Sequence, residues 1–303
     1  MKKIGSSETI RKTTFNFYTY KQNLVFHKKK INVHFLEWLI GFAEGDGSFI
    51  VSKNRLFFII NQKEEKILYF IRTNLGFGKV SKYENHSRFI VADKTNIDKL
   101  IFIFNGNLVL NKTNLRFTTW LNARNIYSEE KLEYLNKNKL LNLNDNAWLS
   151  GFIDAEGCFN VSKIIDSRYI LGYRVRLRFI LDQKNEICIF NQLKEFLRSG
   201  VITRRKFVKF VKQEKLGEQC KLKVNLVLKQ LIELQQEPMF RFTSTSLLSN
   251  EILIKYLKSY PLRTLKKVSF LRFASLLRYI ENKKKVPWKN KVLKKVEKLI
   301  KNI

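Results

Sequence analysis

The chain has 303 residues, 45% of them hydrophobic, enough for one large domain or two fused smaller ones. Fifty-eight Lys and Arg stand against 26 Asp and Glu, a net charge of +32, so an anionic partner is expected and a nucleic-acid backbone fits best. An anionic membrane surface is the rival, but no apolar run approaches the ~18 residues of a spanning helix, and no membrane partner is expected. Cys158, Cys188 and Cys220 are odd in number and form no CxxC pair, which argues against a disulfide framework and a zinc site. His27, His34 and His86 are too scattered for a histidine-based nuclease. Any hydrolytic chemistry therefore rests on carboxylates, lysines and a hard metal.

Residues 1–34 carry many Lys, Ser and Thr and read as a basic N-terminal extension, an unpacked, disordered arm or a leftover from an upstream reading frame rather than a transit peptide, which would favour Arg. A first repeat fills 35–125. Apolar residues at helical spacing predict a helix over His34–Glu44, with Asp46-Gly47 ending it through a left-handed glycine. Strands follow at Phe49–Val51 and Leu56–Ile60 around a tight turn at Lys53-Asn54-Arg55. A helix over Glu64–Leu75 stops at Gly76. A second hairpin joins Gly78–Tyr83 to Arg88–Ala92, and helices follow at Asn96–Phe104 and Thr113–Asn125.

Residues 126–145 are polar and read as a linker. The second repeat, 146–303, restates the order. Phe159–Ser162 and Tyr173–Leu181 are strands, Glu186–Leu197 is a helix, Gly200 opens a hairpin and Met239–Thr245 closes it. Helices follow from Ile252 and over Leu265–Glu281. This repeat carries a basic insertion at about 206–238, with a helix expected at Lys223–Gln236, and a lysine-rich tail from Asn282. The abundant Lys, Asn, Ile, Phe and Leu have A- or T-rich codons, which suggests an organellar gene, mitochondrial before chloroplast.

The duplication is plain at one segment. Glu37-Trp-Leu-Ile-Gly-Phe-Ala-Glu-Gly-Asp-Gly-Ser-Phe-Ile-Val-Ser52 recurs as Ala147-Trp-Leu-Ser-Gly-Phe-Ile-Asp-Ala-Glu-Gly-Cys-Phe-Asn-Val-Ser162, with eight of sixteen positions identical. Gly41 and Gly45 share one helix face, as do Gly151 and Ala155. Small residues at that spacing let two helix backbones approach closely. If the helices pair, Asp46 and Glu156 meet at their base, and divalent cations would offset the repulsion. Mg²⁺ is the natural choice, with Mn²⁺ a substitute. Metals roughly 4 Å apart activate water and stabilise the leaving oxygen of a phosphodiester.

The segments Leu39–Gly47 and Leu149–Gly157 resemble the two motifs of a single-chain LAGLIDADG homing endonuclease of the organellar, intron-encoded type. The resemblance spans about residues 35–280. It implies that Asp46 and Glu156 ligate metal, with the backbone carbonyls of Gly45 and Ala155 facing it. It implies that Glu44 and Asp154 support the helix ends. Gln62 and Gln183, each followed by lysine, would order water around the scissile phosphates. Lys266, in Pro261-Leu-Arg-Thr-Leu-Lys266, and Lys112, in a matching stretch that lacks the proline, would polarise phosphate or water. These six side chains (Asp46, Glu156, Lys112, Lys266, Gln62 and Gln183) are the catalytic candidates.

Recognition is expected from the strands. Arg174, Arg176 and Arg178 alternate with apolar residues and so share one face, which can read guanine edges. By the same parity Ser52, Asn54, Lys79, Ser81, Tyr83, Asn160 and Ser162 face DNA, joined by Arg55, Arg88 and Arg204. Leu56–Ile60 is apolar throughout and gives no parity. The expected fold is an α/β (α+β) protein of two pseudo-symmetric αββαββα repeats, forming an antiparallel β-saddle on double-stranded DNA with the motif helices at the interface between repeats. The expected activity is divalent-metal-dependent hydrolysis of both strands at a long asymmetric target by a monomer, and the resemblance implies 3′ overhangs. The alternatives are an RNA maturase acting on its host intron and a catalytically silent DNA-binding protein of the same fold.

Overall fold

A short helix opens the described chain: α1 (Tyr18–Gln22). The computed structural model describes residues 14–24, 31–126, 128–135, 141–168, 173–205, 238–283 and 290–301. The basic extension is therefore not unpacked throughout. Phe15, Phe17 and Tyr20 are buried, and burial pushes the Tyr20 phenol up. Buried Asn107 holds this segment: it accepts from Asn16 N–H (2.9 Å) and donates to the Asn16 (2.7 Å) and Ile103 (2.8 Å) carbonyls. Lysine-rich composition hid three aromatic anchors. Asn107→Ala is expected to cost about 2 kcal/mol and to expose the segment to limited proteolysis, with cleavage before global unfolding as the readout.

The first repeat runs α2 (Val33–Asp46), β1 (Gly47–Ser52), β2 (Arg55–Gln62), α3 (Glu65–Leu75), β3 (Lys79–Lys82), β4 (Ser87–Val91), α4 (Lys94–Phe104) and α5 (Asn111–Ile126). Asn32 caps α2 by accepting from the His34 N–H, and Asp93 caps α4 through the Asn96 N–H. Gly76 ends α3 in the left-handed conformation (φ 75°), as expected. Gly47 differs: its φ is −82° and it enters β1 directly. Glycine is needed there because a Cβ would lie 2.5 Å from the Ala43 carbonyl oxygen. The β1–β2 loop is the two residues Lys53 and Asn54, both at positive φ, with Ser52 opposite Arg55.

The second repeat runs α6 (Trp148–Glu156), β5 (Cys158–Ile165), β6 (Tyr173–Lys184), α7 (Ile187–Phe196), β7 (Val201–Arg205), β8 (Met239–Ser244), α8 (Leu247–Ser259), α9 (Lys266–Lys283) and α10 (Asn290–Lys301). The helix expected at Lys223–Gln236 and nearly all of the insertion lie outside the described residues.

Each repeat forms one antiparallel four-stranded sheet, ordered β1-β2-β4-β3 and β5-β6-β8-β7. The two orders are the same topology written twice. Both sheets bury one face under aromatic side chains. Phe49 meets Phe104, Phe117 and Trp120 at ring-centroid distances of 5.4, 5.5 and 5.2 Å. Its counterpart Phe159 meets Phe270 and Phe273 at 5.6 and 5.3 Å. Each such ring contributes roughly 2–3 kcal/mol through burial. The chain divides into two compact units, one holding residues up to Ala155 with Leu257–Leu265, the other Glu156–Tyr256 with the chain from Lys266 onward. Among the described residues no helix is long and apolar enough to cross a membrane.

Candidate active site and nucleic-acid interface

Helices α2 and α6 touch backbone to backbone within the first unit. A Cβ on Gly41 would stand 2.0 Å from the Trp148 carbonyl oxygen, and one on Gly151 would stand 1.9 Å from that of Trp38. The small residues that carry this approach are thus the two motif glycines at the crossing.

The sixth motif acids each reach across to the opposite helix. Trp38 Nε1 donates to Asp154 (2.8 Å), and Trp148 Nε1 donates to Glu44 (2.5 Å), so each acid holds the tryptophan of the opposite helix. Glu44 also accepts from the Val109 (2.6 Å) and Leu110 (2.7 Å) N–H groups. Asp154 accepts from the Arg263 (2.8 Å) and Thr264 (3.2 Å) N–H groups and from Thr264 Oγ1 (2.5 Å). Both acids are buried and, when ionised, are acceptors only, so every partner must be a donor. Each clamped segment ends two residues before a candidate lysine, Lys112 in the first turn of α5 and Lys266 at the start of α9. The signal available in the sequence was the tryptophan at the same place in both copies. Glu37, outside the motif proper, went unnoticed: it is buried, accepts from the Ala147 N–H (3.0 Å) and meets His34 Nδ1 (2.9 Å).

Burial raises the Asp154 pKa from the usual aspartate value, opposed by donors from Thr264, Arg263 and Trp38. Folding thus raises the cost of ionising Asp154 relative to the unfolded chain. Its contribution to stability is fully present below the unfolded value and is lost as pH rises through the raised folded value. Stability of Asp154→Asn, measured by denaturant melts from pH 3.5 to 7, is expected to lack this loss. It should also be lower than wild type at every pH, by about 1–3 kcal/mol at pH 4, because an amide nitrogen cannot accept.

The eighth motif acids close the helices. Asp46 is the last residue of α2 and Glu156 the last of α6, both half-buried. Gln62 Nε2 donates to Asp46 Oδ2 (2.5 Å). Gln183 occupies the same register in β6, opposite Phe240 as Gln62 is opposite Ser87. The last turns of both helices contain no basic residue. A carboxylate there sits at the negative end of the helix macrodipole, where a cation is worth about 0.3–1 kcal/mol. Gly45 and Ala155 lie in those turns, each directly before the acid that ends its helix. No cluster of three or more His, Cys, Asp or Glu exists among the described residues. The donor set at each helix end, one carboxylate and one or more carbonyls, fits Mg²⁺, which takes few protein oxygens and fills its shell with water and substrate phosphate.

Strand register decides on which face each candidate recognition residue lies, because directly opposed residues share a face. On the first sheet Phe49, Phe58, Ile60, Phe89 and Val91 face the helices. Ser52, Arg55, Lys79, Ser81 and Arg88 lie on the open face as expected. Asn54 is in the turn, and exposed Tyr83 just beyond β3 carries the Arg88 guanidinium over its ring at 4.8 Å. The ambiguous run resolves with Phe58 and Ile60 inward and Phe57 and Ile59 outward. On the second sheet Asn160, Ser162, Arg174, Arg176 and Arg178 share the open face. Arg204 does not. It pairs with Phe240 on the face of buried Phe242, while its neighbours Thr203 and Arg205 fall on the open side. The open face also holds a group the sequence did not reveal. Asp182 accepts from Arg241 Nε (2.7 Å) and Nη2 (2.6 Å) and from Arg205 Nη1 (3.1 Å), which raises the Arg241 pKa. These three are far apart in sequence, and only strand pairing brings them together.

The LAGLIDADG endonuclease family matches residues 39–124 and again 149–234, more than half of the chain, and the chain belongs to that family. It is similar to the probable intron-encoded endonuclease 4 of Neurospora crassa, 45% identical over 166 residues, 53% of this chain and 30% of that protein. It is similar along 92% of its length to an uncharacterised cox1 intron-2 protein of Schizosaccharomyces pombe, at 26% identity and 76% of that protein. The intron-encoded RNA maturase bI4 of Saccharomyces cerevisiae is 31% identical over 176 residues, 52% of this chain and 26% of the maturase. This chain thus spans under a third of two of these relatives. In fold it is similar to the meganuclease I-AabMI bound to uncleaved DNA (TM-score 0.63, 20% identity, 88% of this chain and 98% of that one). It is also similar to I-SmaMI bound to uncleavable DNA (TM-score 0.65, 14% identity, 91% and 99%).

Proposed function

We propose that this chain is a site-specific homing endonuclease that hydrolyses both strands of duplex DNA at a long, asymmetric target, leaving 3′ overhangs. The observation that carries this reading is the acid that ends each motif helix, Asp46 and Glu156, at the negative dipole end with no basic residue in its last turn. Asp46 and Glu156, with carbonyls of Gly45 and Ala155, would each hold Mg²⁺ or Mn²⁺. The bound cation would lower the pKa of water and stabilise charge on the departing oxygen. Gln62 holds the Asp46 carboxylate in place and leaves its amide oxygen to orient water, a task Gln183 would share. Lys112 and Lys266, each two residues beyond the segment that Glu44 or Asp154 holds, would place positive charge where the phosphate becomes more negative. The open sheet faces would bind the duplex through Arg55, Lys79, Arg88, Arg174, Arg176 and Arg178. Both motifs lie in one chain, so a monomer suffices. Composition and relatives named for introns, one of them in cox1, support an organellar and specifically mitochondrial gene.

The similarity to an RNA maturase favours one second reading, assistance in splicing the host intron. Incubation with Mg²⁺ and duplex DNA carrying the intronless insertion site tests the first, and binding to the intron RNA tests the second. Binding to DNA without cleavage in either Mg²⁺ or Mn²⁺ would sink the endonuclease reading and leave a silent binding protein. Affinity for DNA is expected to fall about a thousandfold or more between 50 and 200 mM salt, as phosphate contacts release counterions. A flat salt response would exclude the charged-face model.

A further inference from the structure

The two open sheet faces occupy the same register but carry opposite chemistry. Ile50 stands as far beyond Asp46 as Asn160 stands beyond Glu156, and each pairs with a residue of the next strand: Ile50 with Phe57, Asn160 with Arg178. Across the next ladder Ile59 pairs with Ile90, where the second sheet has Ile180 with Thr243. The first sheet therefore exposes a continuous apolar strip, Ile50, Phe57, Ile59 and Ile90, crossing β1, β2 and β4. Ile50 is 37% exposed and the other three are half-buried. The second sheet has a guanidinium at the centre of the same place. Arg178 donates through Nε (3.0 Å) and Nη2 (2.6 Å) to Asn160 Oδ1, which fixes its plane.

We infer that the two sheets read different bases: the first meets thymine methyl groups through Ile50, Phe57 and Ile90, and the second meets guanine through Arg178. This rests on the DNA-binding reading above and adds what each sheet recognises. The strip is rimmed on its own face by Arg55, Lys79 and Arg88, cations suited to flanking phosphates, which favours a duplex over an apolar protein partner. In the major groove an A·T pair offers the thymine methyl to an apolar side chain, while guanine offers O6 and N7 to a planar guanidinium. Asn160 orders the Arg178 side chain before binding, so less rotamer freedom is lost on contact. The target is accordingly rich in A·T pairs where the first sheet binds and holds guanine where the second binds.

The test uses the full chain and a randomised duplex library. The selected duplex is remade with deoxyuridine for thymidine, which removes only the methyl, or 7-deazaguanine for guanine, which removes only N7. Each deoxyuridine under the first sheet is expected to weaken binding about threefold to fivefold. That loss should vanish in Ile50→Ala and Phe57→Ala. A 7-deazaguanine under the second sheet should cost about fivefold to a hundredfold. That loss should vanish in Arg178→Ala. Selected duplexes with the same base preference under both sheets, or affinity indifferent to both substitutions, overturn the inference and leave DNA binding intact. Failure to retain any duplex at low salt overturns the inference together with the DNA-binding reading.

Discussion

Asp46→Asn and Glu156→Gln are each expected to lower the cleavage rate about a thousandfold while leaving DNA affinity unchanged or slightly tighter. The size follows from the several kcal/mol of charge stabilisation that a bound cation supplies in the transition state, at about 1.4 kcal/mol per factor of ten. The sign on binding follows from charge: each substitution removes one negative group next to phosphate. Each variant retains a side chain of the same shape at the end of its helix. In Asp46→Asn the new amide can still accept from Gln62 through its carbonyl oxygen, so the fold should persist. The checks are single-turnover cleavage of each strand and filter binding in Ca²⁺. Cleavage within tenfold of wild type in either variant would remove that acid from the proposed metal site. Because the two acids end different helices, slower nicking of one particular strand in each variant would also assign the acids to strands.

Gly41→Ala and Gly151→Ala are expected to prevent stable folding, at a cost above about 4 kcal/mol. Each added methyl would stand within 2.0 Å of a backbone oxygen on the other helix. A main-chain carbonyl inside a helix cannot turn aside, so the helices must separate. Separation strips the Trp38–Asp154 and Trp148–Glu44 hydrogen bonds, leaving buried carboxylates short of donors. Gly76→Asn is the control. Its left-handed φ of 75° is tolerated by asparagine and nothing lies within 4 Å of an added Cβ, so the cost should stay near 1 kcal/mol. Thermal melts decide the matter: a Gly41→Ala protein melting within a few degrees of wild type would mean that the helices do not cross as described.

Much of this molecule was legible before any coordinates. Strand and helix order followed from period-two and period-3.6 patterning, and the duplicated motif located both helix-terminal acids. Where the reading failed, a long-range partner was decisive. Gly47 looked like a left-handed cap, but the oxygen of Ala43 dictates glycine there at an extended φ. Arg204 looked like its exposed neighbours, but pairing with Phe240 sets its face, since a one-residue slip inverts a strand. Glu44 and Asp154 were expected to support the helix ends, and only the structure shows their partners, on the opposite helix and at 109–110 and 263–264.

The sequence by itself determined which residues repeat, which face of the long strand Tyr173–Lys184 carries its arginines, and that the chain is highly basic with an acid closing each motif segment. Those properties are local or additive: spacing, composition and charge are carried residue by residue. Only the tertiary structure decided the parity of the apolar run Leu56–Ile60, the Asp182–Arg241–Arg205 cluster and the burial of Phe15, Phe17 and Tyr20. Each of these depends on which distant segment lies opposite, and no periodicity within a single strand or arm encodes its neighbour.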